Sequence, residues 1–255
     1  QNYQGALESF LQVAQATKHD QRQETLNHAS RKDFVRAYAE IGKPEQALNA
    51  FKRVDQGYAF TMLGILEDLY MGEGKSDKAI FTYRDLMKRA PTNKNVCLWQ
   101  YNVAHASLSF AGAKTSDRIG EIENLVRLYG VLKGKKALPQ AEMQECHDNA
   151  AAMSGELARA YHSEAAKTKN PESLAYAEKL YKVYLDVFTD ADDYAETQYY
   201  YAELLWSRAE AETKNPRLAT EEWIKAADEF TAVVKLGKVN KKLMKESAYA
   251  AVLGW

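Results

Sequence analysis

One pattern of residues occurs twice in succession between Arg31 and Pro91, and it restricts this chain more than any other feature. Tyr38, Gly42, Ala47 and Phe51 stand at intervals of four, five and four. Tyr70, Gly74, Ala79 and Tyr83 repeat those intervals, and Pro91 follows twelve residues after Ala79. The order suits two antiparallel helices. Gly42 and Gly74 fall where the first helix must end, since glycine enters the left-handed conformation that closes a helix without steric cost. Pro44 fits the first turn of the helix that follows, and Ser76 is placed to cap its counterpart. Ala47 and Ala79 keep the inner face of the second helix small, so that the helices approach closely. Phe51 and Tyr83 lie one turn further along that face, against the next hairpin. A single hairpin cannot bury this face, so hairpins stack.

In these residues the chain resembles the tetratricopeptide repeat (TPR) family, whose pattern places an aromatic, a turn glycine, a small residue, an aromatic and a late proline in this order. The resemblance implies an all-α, right-handed superhelical solenoid of antiparallel helix hairpins that binds other proteins. The copies depart from the family at the eighth position, where a small residue is usual. Val35 and Glu67 stand there, with Gly64 near enough to supply a close approach in the second copy.

The pattern organises most of the chain. Ala6 and Phe10 form a small-aromatic pair in a helix reaching Thr17, read as the second helix of a truncated repeat. A first helix follows from about Gln23 to Ile41. The two clear repeats occupy 28–59 and 60–93, with their alanines 32 residues apart. Residues 94–153 form a degenerate helical region. There Val96, Trp99 and Val103 line one helix, and Ile119, Ile122, Leu125, Tyr129 and Leu132 recur at helical spacing in another that Ser116 is placed to cap. Lys133 to Lys136 reads as an exposed turn rather than a phosphate loop, since no Gly-x-x-x-x-Gly-Lys pattern is present. Residues 154–255 contain a second duplication. Thr168-Lys169-Asn170-Pro171 returns as Thr213-Lys214-Asn215-Pro216, each followed by a small-aromatic pair, Ala177 with Tyr181 and Ala226 with Phe230. Tyr161 and Trp206 precede these alanines by 16 and 20 residues, against nine in the early copies, so these hairpins are longer. Lys241 to Trp255 reads as a first helix lacking its partner. The whole is expected to be one continuous solenoid of about six hairpins with lengthened C-terminal ones. It reads as a fragment of a longer array whose cut ends favour end-to-end self-association.

Mixing standard and lengthened repeats is similar to large envelope-associated TPR proteins of gliding and predatory bacteria. Localisation stays open, with the periplasm favoured slightly over the cytoplasm. Thirty-four basic and 35 acidic residues nearly cancel, so no overall field points to nucleic acid or an anionic membrane. No apolar run approaches the roughly 18 residues that span a bilayer, and no signal peptide is visible. Cys97 and Cys146, the only cysteines, read as two buried free thiols, although their spacing leaves open whether they meet.

Chemistry is weakly signalled. The histidines are scattered. Cys146, His147 and Asp148 are adjacent, yet neighbours on a helix point about 100° apart. Asp190, Asp192, Asp193 and Glu196 lack the mid-loop glycine of a calcium loop and read as caps of a helix beginning near Tyr194. Lys235 to Lys245 is a solvated basic edge, and Tyr199, Tyr200 and Tyr201 cannot all face one core, so at least one lies exposed or at a groove. No catalytic, cofactor or metal site is expected, and the chain reads as a non-catalytic scaffold. The resemblance places the partner protein or peptide on a concave wall of first helices, comprising Lys32, Arg36, Glu40, Asp68, Asn102 and His105, with Asn95 alongside. Ile65 and Trp99 stand where chaperone-tail sites carry polar groups, which argues against that ligand. The alternative function is a regulatory superhelix that senses a ligand or peptide.

Overall fold

The computed structural model describes residues 2–18 and 20–254. The expected helix ends at Gln1 and Trp255, and His19, lie outside the described residues. All regular structure among the described residues is helical. The described residues contain twelve α-helices: α1 (Tyr3–Thr17), α2 (Glu24–Ile41), α3 (Ala47–Val54), α4 (Ala59–Gly72), α5 (Ser76–Arg89), α6 (Val96–Ser109), α7 (Thr115–Lys135), α8 (Gln140–Thr168), α9 (Pro171–Val187), α10 (Tyr194–Ala211), α11 (Pro216–Leu236) and α12 (Lys241–Leu253). Two compact units divide the chain, residues 1–121 and 122–255, with the division falling inside α7.

Within each unit, helices pack against partners one or two along the chain, such as α1 on α2 and α3, or α10 on α9, α11 and α12. This is the nearest-neighbour packing expected of stacked hairpins. The repeat residues are its core. Ala47, Phe51, Tyr70 and Ala79 are fully buried, and Tyr38 and Tyr83 nearly so. The two glycines act differently from one another. Gly74 adopts φ 70°, the left-handed closure that the sequence predicts. Gly42 does not, having an extended backbone with φ −77° and ψ 156°. Its side chain is excluded for another reason: a Cβ there would collide with the ring of Tyr38. That ring lies over the turn because the Tyr38 hydroxyl donates 2.8 Å to the Lys43 carbonyl. Gly64 makes no close helix approach, since a Cβ there would meet only the Glu67 carboxylate at 4.0 Å.

Pro44 opens a 3-10 turn leading into α3, as expected. Ser76 is not a cap. It is the first residue of α5, and that helix has no side-chain cap. The second duplication performs as the sequence predicts. The Asn170 side chain accepts from the Glu172 N–H at 2.9 Å, and Asn215 accepts from Leu218 at 3.2 Å, each followed by proline in the first turn. These caps start α9 and α11, which run antiparallel to α8 and α10. Ser173 pairs with Glu164 near the first turn while Gly155, far from it, faces Tyr184. In the second hairpin Trp206 packs edge-on against Trp223, with centroids 4.4 Å apart, and Gln198 reaches Glu229. Arg208 ties this hairpin to the one before it through Glu178 of α9 and Glu222 of α11.

Both cysteines are disulfide-bonded, which corrects the expectation of free thiols. Both cysteines are buried, as anticipated, but burial alone does not distinguish a thiol from a disulfide.

Candidate functional site

The helix α2 has two faces of different character. Phe34, Tyr38 and Ile41 share one of them, and at 100° per residue Lys32, Arg36 and Glu40 fall on the opposite side. The latter three are all exposed, as is Asp68 on α4, which packs beside α2. Internal partners already engage part of this expected wall. Arg36 pairs with Asp33 at 2.9 Å, and Glu40 lies 3.9 Å from Lys75. Asn102 is half-buried on α6 and donates to the Tyr83 hydroxyl at 3.0 Å, so it holds a core tyrosine in place. His105 is exposed beside Tyr101. Burial raises the carboxyl of Asp68 above its usual range. Its neighbour Glu67 is buried and pushed up to about 9, first by desolvation and then by the charge of Asp68, so it is neutral at physiological pH.

The apolar face of α2 floors a groove of about 700 Å³. Parallel helices α1 and α3 form its sides. Near their C-terminal ends they are tied, Gln15 donating to the Arg53 carbonyl at 3.0 Å and Lys18 lying 3.6 Å from Asp55. Toward their N-terminal ends Leu7 and Leu11 of α1 stand apart from Asn49 and Ala50 of α3, leaving a wedge over Phe34, Tyr38 and Ile41. Ile41 is 46% exposed there. Glu8 edges the α1 side, and Lys43 and Arg53 edge the other. The sequence reading missed this wedge. Its signal was the shortness of α3, an eight-residue helix beside a 15-residue one.

The remaining motifs are distributed as follows. Lys133 and Lys135 belong to α7, which outlasts the expected turn, and only Lys136 leaves it, in the left-handed region at φ 49°. His147 and Asp148 do meet, contrary to the expectation from helical angles. The imidazole Nδ1 lies 2.8 Å from the Asp148 carboxylate, within hydrogen-bond distance. The acidic cluster is dispersed: Asp190 pairs with Lys133, and Asp193 with Arg159 and the Tyr184 hydroxyl. Asp193 precedes α10 without capping it through its side chain. No group of residues able to hold a metal ion occurs among the described residues. Tyr199 and Tyr201 are buried while Tyr200 is partly exposed, and Tyr199 borders a pocket with Trp206 and Phe230. No helix among the described residues is long and apolar enough to cross a membrane. No family model and no curated protein sequence matches this chain.

Proposed function

We propose that the chain is a TPR-like array of helical hairpins serving as a non-catalytic scaffold that docks a partner protein. The observation that carries this reading is the wedge between α1 and α3, with its apolar floor and charged edges. Such a trough accepts the apolar stripe of an amphipathic helix, anchored at spacings of three and four residues. Lys43 and Arg53 outnumber Glu8 on its rim, so the partner helix carries acidic residues along one edge. The outward charged row of Lys32, Arg36 and Glu40, with Asp68, Asn102 and His105, is the surface on which the family resemblance would place a peptide. Arg36, Glu40 and Asn102 already have internal partners, which favours the wedge. The disulfide-bonded cysteines fit an oxidising compartment such as the periplasm.

The test is capture of a partner from the source organism by three immobilised forms: the natural chain, Ile41→Asp, and Lys32→Glu with Arg36→Glu. Thermal melting checks that each is folded. The expected result is one protein retained by the natural and charge-reversed forms and lost from Ile41→Asp. Loss from the charge-reversed form alone would move docking to the outward row, and capture of nothing by any form would contradict the scaffold reading.

A further inference from the structure

Helix α12 presents apolar side chains on both of its faces. One face is buried: Ser247 and Ala251 point inward, and Leu243 and Ala250 lie against the core cluster of Tyr199, Phe230 and Val233. On an ordinary surface helix the opposite face is polar. Here Tyr249, Val252 and Leu253 stand out at 68%, 76% and 56% exposure, three large apolar side chains spaced i, i+3 and i+4. A ridge of exposed apolar side chains marks an interaction surface.

The edges of this ridge carry charges of opposite sign. At about 100° per residue, Val252 falls about 60° to one side of Tyr249 and Leu253 about 40° to the other. Lys245 lies on the Val252 side and Glu246 on the Leu253 side, and both are exposed. The Tyr199 hydroxyl, 3.0 Å away, fixes Glu246 Oε2, while Oε1 has only Lys242 at 3.9 Å. The wedge between α1 and α3 has the complementary arrangement, with Glu8 on one side and Lys43 and Arg53 on the other. Neither these three side chains nor Lys245 form an ion pair among the described residues. Apolar anchors at this spacing suit a trough floored by Phe34, Tyr38 and Ile41. With Leu253 toward α3, Glu246 meets the basic edge and Lys245 meets Glu8. The reverse direction would set like charges against each other on both edges, so the charges select one orientation.

We propose that the wedge of one copy receives α12 of a second copy of this chain, with Tyr249, Val252 and Leu253 seated over Phe34, Tyr38 and Ile41. The proposal rests on the docking reading of the wedge and names its occupant. Ridge and wedge are different patches of one chain, so the contact is heterologous and assembly runs head to tail.

Sedimentation velocity from micromolar to submillimolar concentrations tests this on the full chain, on Ile41→Asp, on Val252→Asp and on an equimolar mixture of the two variants. Both substituted side chains are exposed, and thermal melting checks that each variant is folded. The natural chain should grow in mass with concentration, and each variant alone should keep the mass of one chain. Ile41→Asp retains an intact ridge and Val252→Asp an intact wedge, so their mixture should form a two-chain species and nothing larger. Glu8→Lys or Lys245→Glu alone should weaken association roughly threefold, and the two together in one chain should restore it. A natural chain of constant mass, a mixture without the two-chain species, growth of either variant alone, or charge reversals that fail to compensate each overturn the proposal. The docking reading fails separately. A natural chain of constant mass that still captures another protein through Ile41 overturns self-docking alone, and one that captures nothing overturns both.

Discussion

Glu67 occupies a repeat position where a small residue is expected, and its environment converts that departure into a pH dependence. The side chain is 5% exposed, and one carboxyl oxygen has no partner. Its folded-state pKa stands at about 9 against 4.5 for a free glutamate. The unfolded chain therefore ionises first. Stability associated with Glu67 is fully present below pH 4.5 and is lost as pH rises toward 9. Glu67→Gln keeps the shape and removes the titration, so it should stabilise the protein by on the order of 2 kcal/mol at pH 8 and change little at pH 4. Urea unfolding at both pH values checks this, and equal effects at the two would contradict it. The two turn glycines give a second residue-level expectation. Gly74→Asn should cost only a few tenths of a kcal/mol, because asparagine tolerates the left-handed region. Gly42→Asn should cost on the order of 2 kcal/mol, because any Cβ meets the Tyr38 ring. The sequence located both glycines but assigned them one reason. Side-chain placement of Tyr38, which no spacing rule encodes, separates them.

At the scale of elements, the long hairpins show how local signals and tertiary pairing combine. The Asn-Pro starts of α9 and α11 were legible because capping uses only neighbouring atoms. Asn170→Ala and Asn215→Ala should each cost about 1 kcal/mol in denaturant unfolding. The link between these hairpins was not legible, since Glu178, Arg208 and Glu222 are separated widely in sequence. Burial would raise the carboxyl of Glu222, but hydrogen bonds and charge from Arg208 and Lys225 outweigh it and hold the group below its ordinary range. Its contribution is therefore present above the unfolded value of 4.5 and lost as pH falls below it. Arg208→Met leaves the buried Glu222 carboxylate held by Lys225 alone and should cost on the order of 2 kcal/mol, of which Glu222→Met in the same chain recovers a large part. Simple additivity of the two substitutions would show that the pair is not coupled. The wedge also belongs to this scale. The sequence reading named no apolar face on α2, and the opening between α1 and α3 over Phe34, Tyr38 and Ile41 is a property of three helices together.

For the molecule as a whole, helical class and nearest-neighbour packing followed from the sequence because a repeat encodes the same short-range contacts several times. The state of the cysteines did not, since two residues 49 apart carry no distance information in their spacing. Thiol titration in denaturant should find no free thiol until reductant is added, and two free thiols in the untreated chain would contradict the structure. The central claim, that this helical array docks an amphipathic helix between α1 and α3, is tested most directly by a photo-crosslinking side chain at Ile41 in the source organism. The account predicts an adduct to one protein through an amphipathic helical segment bearing acidic residues, and none from the same label at Lys52 on the exposed side of α3. No adduct at Ile41, or the same adduct from both positions, would contradict it.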